Sequence, residues 1–415
     1  MAVIKAFRAL RPSQEYAFEV AALPYDVYSR KEAADFVENR PYSFLNIDRA
    51  ESQFTPDVDT YDPRVYAKAD EMIREWTEKG IFVREDKPCF YLYALTMDGR
   101  TQTGLVACSS VDDYVNNVIL KHENTRAEKE LDRINHVDKT SAQTGPIFLA
   151  YRDDARVAGL LLPVVQNVPL YDFTKEDGIR HTVWRIDDEA LVKAITEAFA
   201  AIPHTYIADG HHRAASAVKV ALKRREAHPD YNGTEEFNSF LSVLFPASAL
   251  RIYDYNRVVK DLNGYTEEAF LERISEDFDV TEVSLKGTPY RPEEKSTFGM
   301  FLGGKWYKLQ VKDAPDGSDP VKSLDVSVLQ DRLLEPVLGI HNPKTDTRID
   351  FIGGIRGLGE LERRVSLDMT VAFSMFPTSM EELFRVADAG LLMPPKSTWF
   401  EPKLLSGIFI HEIER

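Results

Sequence analysis

Length, composition and charge limit what this chain can be. Its 415 residues are enough for two or three domains, and its 44% hydrophobic and 28% charged residues are typical of a soluble globular protein. A formal net charge of −16 argues against nucleic acid and anionic membranes as partners. No secretory signal or membrane span is evident. Because Cys89 and Cys108 also lack the spacing of a metal site or disulfide framework, we expect a cytoplasmic protein.

The N-terminal part predicts short elements, then a long helix and a hairpin. Short apolar runs alternate with turns at first, and the motifs PYDV and NRPYSFLNIDRAE lie in this region. Residues 65–79 have the spacing of an amphipathic helix that ends at Gly80. The aromatic-rich run that follows turns at Asp98 and Gly99, which predicts two antiparallel strands.

Segment 119–137 predicts a helix with one strongly basic face. Its composition is helix-forming, and at ~100° per residue five basic side chains fall within a stripe of about 80°, opposite the apolar positions. The stripe consists of His122, Arg126, Lys129, Arg133 and His136. On an acidic chain this face is a candidate anion-binding surface. The alternative is a solvated helix face stabilised by pairs with flanking acids.

The middle of the chain predicts alternating strands and helices. The apolar runs 145–151 and 157–165 are expected to form central strands, joined by a turn at 153–154. Residues 181–201 predict a strand followed by a helix with an aspartate cap. Residues 205–220 predict a strand, a tight turn and the start of a helix.

The turn in the last of these segments has the sequence DGHHR and carries the strongest chemical signal. It consists of Asp209, Gly210, His211, His212 and Arg213. A helix N-terminus attracts phosphate or carboxylate through its free N–H groups and its positive dipole end. Phosphoryl transfer needs such donors, together with cations and a carboxylate that holds Mg²⁺ or takes a proton. One metal ion bound by the acid and both histidines is a weaker alternative, because adjacent histidines do not easily face one ion. A capped helix with exposed histidines is the structural alternative.

The C-terminal part of the sequence predicts a helix and strands that are separated by polar turns. A helix at 266–276 and three strand-like runs precede the linker-like segment 315–320. The proline-stiffened loop 395–403 offers ammonium and hydroxyl groups for a phosphate, or it is a plain surface turn. The groups concerned belong to Lys396, Ser397 and Lys403. The pattern predicts an α+β (mixed α/β) protein with a phosphate-binding core at 1–255 and a further domain at 256–415.

Seven long motifs follow one another along the chain. They are PYDV, NRPYSFLNIDRAE, KHENTRAEKELDR, IADGHHRAASA, YNRVVKDL, DFIGGIRG and PPKSTWFEPKLLSG. In this order they resemble the bacterial domain-of-unknown-function family 1015 over essentially the whole length. The DGHHR segment is also similar to that of the free serine kinases of the ParB/sulfiredoxin-like superfamily. This second resemblance implies a ParB/sulfiredoxin-like kinase core with an additional α+β C-terminal part.

The resemblance to these kinases also implies an activity. It is the phosphorylation of free L-serine to O-phosphoserine, with ATP, ADP or pyrophosphate as donor and Mg²⁺ as cofactor. A small molecule is then the expected partner. No Walker loop, protein-kinase motif set or GxSxG elbow is present. Two other interpretations are a ParB-like nucleotide-binding switch without turnover, and a phosphatase or hydrolase that uses the same anion pocket.

The residues of the predicted site take distinct roles. The donor phosphates are assigned to Gly210, His211, His212 and Arg213, with His211 also a catalytic candidate. Asp209 is expected to hold Mg²⁺ or accept the serine proton, and Glu123 is the second candidate for either task. The catalytic glutamate of the kinases has two candidate counterparts, Glu123 and Asp26. The basic stripe is expected to line the phosphate channel, and the loop 395–403 to close it.

Overall fold

The computed structural model describes residues 1–125, 127–283 and 288–414, and it divides into two compact units. The first unit comprises Met1–Leu250 together with Pro402–Arg415, and the second comprises Arg251–Glu401. The last segment of the chain therefore returns to the first unit after the second unit is complete. The loop expected to close the site is divided between the two units.

Both helices and strands occur throughout the described residues. The strands are β1 (Ile4–Lys5), β2 (Leu10–Pro12), β3 (Phe82–Arg84), β4 (Phe90–Met97), β5 (Arg100–Ser110), β6 (Ile119–Leu120), β7 (Ala142–Gln143), β8 (Ile147–Tyr151), β9 (Tyr171–Thr174), β10 (Arg180–Ile186), β11 (Thr205–Asp209), β12 (Ser239–Pro246), β13 (Ile252–Tyr253), β14 (Tyr255–Val259), β15 (Phe278–Glu282), β16 (Thr297–Leu302), β17 (Lys305–Val311), β18 (Ile349–Gly353), β19 (Val371–Ser374), β20 (Trp399–Phe400) and β21 (His411–Glu412). The helices are α1 (Ala17–Val20), α2 (Arg30–Val37), α3 (Leu45–Asp48), α4 (Pro63–Glu78), α5 (Val111–Val115), α6 (Ala127–Thr140), α7 (Ala155–Leu161), α8 (Glu189–Phe199), α9 (His211–Ala227), α10 (Glu267–Ile274), α11 (Asp325–Leu329), α12 (Gly359–Leu367) and α13 (Met380–Asp388). The predicted α+β class is confirmed.

The first unit is built on one mixed sheet. Its strand order is β6-β11-β8-β12-β5-β4-β10-β9, and β1 pairs with β5. Strand β11 is parallel to β6, and β12 is parallel to β8, whereas the other pairs are antiparallel. Since parallel neighbours end at the same edge of a sheet, the segments that leave β6 and β11 meet there.

Turn and cap residues fix several elements that the sequence predicted. Asp98 and Gly99 both have positive φ (51° and 76°), as a two-residue hairpin between β4 and β5 requires. Asp188 caps α8 by accepting a hydrogen bond from the N–H of Leu191. Gly210, with φ of 91°, separates β11 from α9. The hairpin, the strand–helix pair and the strand–turn–helix are confirmed.

One apolar run folds differently from the prediction. Residues 157–165 form no strand; they lie in α7 and in the 3₁₀ turn Leu162–Gln166. Asp154 starts this helix by accepting from the N–H groups of Arg156 and Val157. A continuous apolar run has no period that distinguishes strand from helix, so the cap decides.

The predicted helix at 119–137 is also shorter than expected. Residues Ile119–Leu120 form β6 because they pair with β11, and α6 begins at Ala127. His122 therefore lies in an irregular segment before the helix. The prediction that the five basic residues form one helical stripe is wrong for this residue, and Arg126 lies outside the described residues.

The returning C-terminal segment is part of the first unit's core. The N–H of Leu10 donates to the carbonyl of Ile410 at 3.0 Å, and the reverse bond is 2.9 Å long. Strand β21 pairs with β7. Ile410 is fully buried in a cluster that also contains Phe44 and Trp76 from the N-terminal helical region. The segment thus joins the sheet region to the helices α1–α4.

The second unit has its own antiparallel sheet, with strand order β15-β17-β16-β19-β14-β18. A separate hydrophobic cluster, which includes Val258, Trp306 and Leu361, packs against it. The predicted capping box of Ser379 and Glu382 opens α13 and is confirmed. The linker-like segment 315–320 lies inside this unit.

Two further expectations concern the chain as a whole. Cys89 and Cys108 are both free and buried, which agrees with plain core roles. Among the described residues, every helix is too short or too polar to cross a bilayer.

Candidate active site

Two parallel strands bring the candidate residues together. Leu120 in β6 pairs with Tyr206 in β11, and both strands run towards the same edge of the sheet. His122 and Glu123 follow β6 directly, and the DGHHR turn follows β11. Segments that are 80 or more residues apart in the sequence therefore meet at this edge.

The turn itself exposes the N-terminus of a long helix. Gly210 is the N-cap of α9 and adopts a left-handed conformation with φ of 91°. Glycine has no side chain to accept from the first-turn N–H groups, and that turn contains no acidic residue. Because α9 extends over 17 residues, its dipole and free N–H groups favour an anion at this end.

Asp209 is held between two cations. Its Oδ2 lies 3.3 Å from Nζ of Lys403 and 3.6 Å from Nη2 of Arg213. Burial raises the pKa of Asp209, but the charges of Lys403 and Arg213 outweigh this effect and lower it to about 2. The carboxylate is therefore ionised at neutral pH. It is well suited to orienting these cations and poorly suited to accepting a proton.

Arg213 folds back over the turn. Its Nη1 donates to the carbonyl of Pro146 at 2.6 Å, and only 11% of its side chain is exposed. A Cβ at Gly210 would lie 3.0 Å from Nε of this guanidinium. The absence of a side chain at Gly210 therefore allows both the backbone turn and the position of Arg213.

His122, Glu123 and His211 form a second group beside the turn. One potential ligand atom from each residue lies within 4.8 Å of the others. The two imidazole rings are perpendicular, with centroids 4.6 Å apart. Burial lowers the pKa of His122 to about 4, and burial and His122 together lower that of His211 well below its ordinary value. Both rings are therefore neutral at physiological pH.

A cavity of about 200 Å³ is lined by residues that are distant from one another in the sequence. Its charged groups come from the PYDV motif, the NIDRAE motif and α6, and segment 60–69 lines another part of it. The residues from the two motifs and α6 that matter most here are Tyr25, Asp26, Asp48, Arg49, Glu51, Asp132, Arg133 and His136. Four carboxylates and two guanidinium groups give this lining both signs of charge.

Within this cavity, Arg133 is the central cation. Its guanidinium lies 4.0 Å from the ring centroid of Tyr25, and its Nε donates to Asp132 at 2.8 Å. Asp48 accepts from Thr144 at 2.8 Å, and burial raises the pKa of its carboxyl. Burial and Arg133 lower the pKa of His136 well below its ordinary value, so this ring is neutral.

The cavity is linked to the DGHHR turn. A smaller void of about 30 Å³ is lined by Arg213 and Ser406 and also by Asp48, Arg133 and His136 of the larger cavity. Arg213 thus pairs with Asp209 in the turn and also lines the void that Arg133 lines.

The structure brings some predicted residues together and leaves others elsewhere. Asp209 and Arg213 meet Lys403, and His211 meets His122 and Glu123. Arg133 and His136 are buried in the cavity lining, which does not fit a solvated helix face. His212 lies in the first turn of α9. Arg126 and the side chain of Lys129 are not among the parts of the chain that the structure describes.

Lys396 and Ser397 belong to the second unit and make contacts there. The ammonium of Lys396 lies 5.4 Å from the ring centroid of Tyr255. The hydroxyl of Ser397 donates to the carbonyl of Pro394 at 2.6 Å. Their proposed role in closing the site remains a prediction.

Sequence reasoning missed the cavity as a whole. Asp48, Arg49, Glu51 and Asp132 were no candidates, although the first three lie in a motif whose acids stand among apolar residues. Glu51 is buried and pairs with Arg49 at 2.7 Å. An acid close to an arginine within an apolar stretch is a signal that the sequence does carry, because charged residues are fully buried almost only in pairs.

Comparison with known proteins agrees with the motifs. A family model described as "Protein of unknown function (DUF1015)" matches residues 4–327, well over half of the chain. The chain belongs to this family. No curated protein matches this DUF1015 chain.

Several solved structures are similar to this DUF1015 protein. A mutant of free serine kinase in complex with ADP shares 14% identity and a TM-score of 0.37, covering 76% of this chain and 93% of its own. Free serine kinase in complex with AMP shares 15% identity and a TM-score of 0.36, covering 75% and 91%. C-terminally truncated SbnI from Staphylococcus aureus shares 12% identity and a TM-score of 0.36, covering 71% and 82%. With scores this low, the case for a function rests on the chain's own residues.

Proposed function

We propose that this protein is a phosphotransferase that moves a phosphoryl group from ATP, ADP or pyrophosphate to the hydroxyl of a small acceptor, free L-serine. The observation that carries the proposal is the uncapped N-terminus of α9, flanked by Arg213 and Lys403. Such a site offers N–H donors and positive charge to phosphate oxygens, which is what phosphoryl transfer chiefly needs. The backbone of Gly210, His211 and His212 forms the rest of this phosphate site.

The cations around Asp209 support its role as an organiser of the site. Mg²⁺ prefers oxygen ligands and enters kinase sites largely through donor phosphates. The Asp209 carboxylate supplies one oxygen for such an ion, next to the cations that it positions. With its pKa lowered to about 2, Asp209 does not serve as the proton acceptor.

The mixed charge of the 200 Å³ cavity supports an amino-acid acceptor. Its volume suits a compact metabolite, since drug-sized ligands occupy about 300 Å³ or more. Arg133 can bind a carboxylate, and Asp48 can bind an ammonium group. Of the two candidate general bases, Asp26 lines this cavity and Glu123 does not, so we assign the serine proton to Asp26.

A product assay tests the proposal. The protein is incubated with Mg²⁺, L-serine and each donor in turn, and O-phosphoserine is measured together with inorganic phosphate. We expect O-phosphoserine with at least one donor, and a loss of at least about 100-fold in Asp209→Asn and in Asp26→Asn, which remove charges from the reacting centre. The exposed Asp230→Asn serves as control.

Other products would point to other functions. No O-phosphoserine from folded protein with any donor contradicts the kinase. Release of inorganic phosphate without O-phosphoserine identifies a phosphatase or hydrolase, and nucleotide binding without turnover identifies a switch. Full activity in Asp209→Asn would contradict the role of that residue.

A further inference from the structure

We propose that His122, Glu123 and His211 form a binding site for a first-row transition-metal dication such as Zn²⁺ or Fe²⁺. The proposal is independent of phosphoryl transfer, because it concerns the affinity of this group for a metal. It rests on the position of three potential ligands, on the burial of both imidazoles and on the nature of the donor atoms.

The fold holds the three residues at one place. The parallel pair β6 and β11 directs His122 and Glu123 from one strand and His211 from the other to the same edge of the sheet. One ligand atom of each lies within 4.8 Å of the others. Ligands at 2.0–2.2 Å from a tetrahedral ion are about 3.3–3.6 Å apart, so side-chain rotations that move the ligand atoms by roughly 1 Å would close the site.

The imidazoles are buried without the hydrogen bonds that buried polar atoms normally make. Among the described residues, Nε2 of His211 has no hydrogen-bond partner, and the ring nitrogens of His122 make no hydrogen bond of good geometry. The backbone of Ile207 lies next to the imidazole of His122. A backbone carbonyl in this position is a common outer partner of a metal-bound histidine, where it fixes the orientation of the ring.

The donor atoms select the class of metal. Two imidazole nitrogens and one carboxylate are the ligands of many zinc and non-haem iron sites. Mg²⁺ takes oxygen ligands almost alone and is a poor match for two imidazoles. Three protein ligands leave at least one coordination position open, beside the N-terminus of α9. The bound ion would therefore face the place where an anion is favoured.

Metal binding is measured on the whole protein with neither nucleotide nor serine present. The apo protein is titrated with Co²⁺, followed by visible absorption, and with Zn²⁺ by competition; metal content after purification is also determined. We expect one ion per chain, no displacement by Mg²⁺ at equal concentration, and Co²⁺ absorption typical of nitrogen and oxygen ligands. His122→Ala and Glu123→Gln should each weaken affinity by more than the 10–100-fold that loss of an outer partner causes.

Controls separate a lost ligand from a damaged fold. Glu123 is partly exposed, so Glu123→Gln is expected to remain folded even if His122→Ala does not. His341→Ala removes a histidine whose side chain is 78% exposed, in the second unit, and should leave affinity unchanged. Wild-type protein that binds neither Co²⁺ nor Zn²⁺ would overturn the proposal. Unchanged affinity in folded Glu123→Gln, or equal affinity for Mg²⁺, would also overturn it.

Discussion

Replacing Gly210 by alanine tests the packing at the centre of the site. An alanine with φ of 91° would cost about 1–2 kcal/mol in backbone strain. Its Cβ would also lie 3.0 Å from Nε and 3.1 Å from Cζ of Arg213, so the guanidinium must move. The 2.6 Å bond from Arg213 to the carbonyl of Pro146 would then be stretched, at a cost below the roughly 1.5–3 kcal/mol that a charged donor's bond contributes.

The matched control is Gly80→Ala, also in the first unit. Gly80 has φ of 73°, and a Cβ there would meet nothing within 4 Å. Both variants therefore carry the backbone strain, but Gly210→Ala alone displaces Arg213. We expect its free energy of unfolding to be lower than that of Gly80→Ala by about 1 kcal/mol, from the weakened hydrogen bond alone.

The assay is urea-induced unfolding of both variants and the wild type, followed by circular dichroism. Binding of pyrophosphate is measured by calorimetry on the same samples. We expect Gly210→Ala to bind it at least tenfold more weakly and Gly80→Ala to bind it normally. Equal stability and equal pyrophosphate affinity in the two variants would show that Arg213 does not depend on the missing Cβ.

Three further predictions concern charges. Lys403→Met removes the charge that does most to lower the pKa of Asp209, so this pKa should rise from about 2. Carbon NMR titration measures it, and an unchanged pKa would contradict the ion pair between Lys403 and Asp209. Burial raises the pKa of Asp325 from 3.8 to about 6, so the folded state binds the proton more tightly. Stability should fall by about 2 kcal/mol as the pH rises from 4 to 7, and Asp325→Asn should abolish that contribution; a parallel pH profile in urea unfolding contradicts it. Arg133→Met removes the cation over the ring of Tyr25, and L-serine affinity in calorimetry should fall at least tenfold; unchanged affinity places the acceptor elsewhere.

Local chemistry made some of the fold predictable. Asp98 and Gly99 favour positive φ, and this preference is sufficient to identify the hairpin. The DGHHR turn is similarly evident, because Gly210 follows an apolar run and precedes a helix-forming segment. In these cases the residues that set the backbone conformation are adjacent in the sequence, so no tertiary contact is needed to find them.

Tertiary contacts decided the rest. Residues Ile119–Leu120 became a strand because β11 was available to pair with them, a partner more than 80 residues away. The basic stripe requires one continuous helix. The strand pairing takes His122 out of that helix and places its imidazole against that of His211. The cavity around Arg133 is assembled from four separate segments, and the sequence pattern carries no signal of which segments are neighbours.

The path of the chain has a consequence for its synthesis. Lys403, Ser406 and the paired residue Ile410 belong to the first unit, yet the ribosome adds them after all of Arg251–Glu401. The first unit's core and the cation that neutralises Asp209 are therefore incomplete while the second unit is being made. In a nascent chain stalled near residue 400, helices α1–α4 should be sensitive to protease. Once the remaining residues have been synthesised and have left the ribosome, the same helices should resist proteolysis.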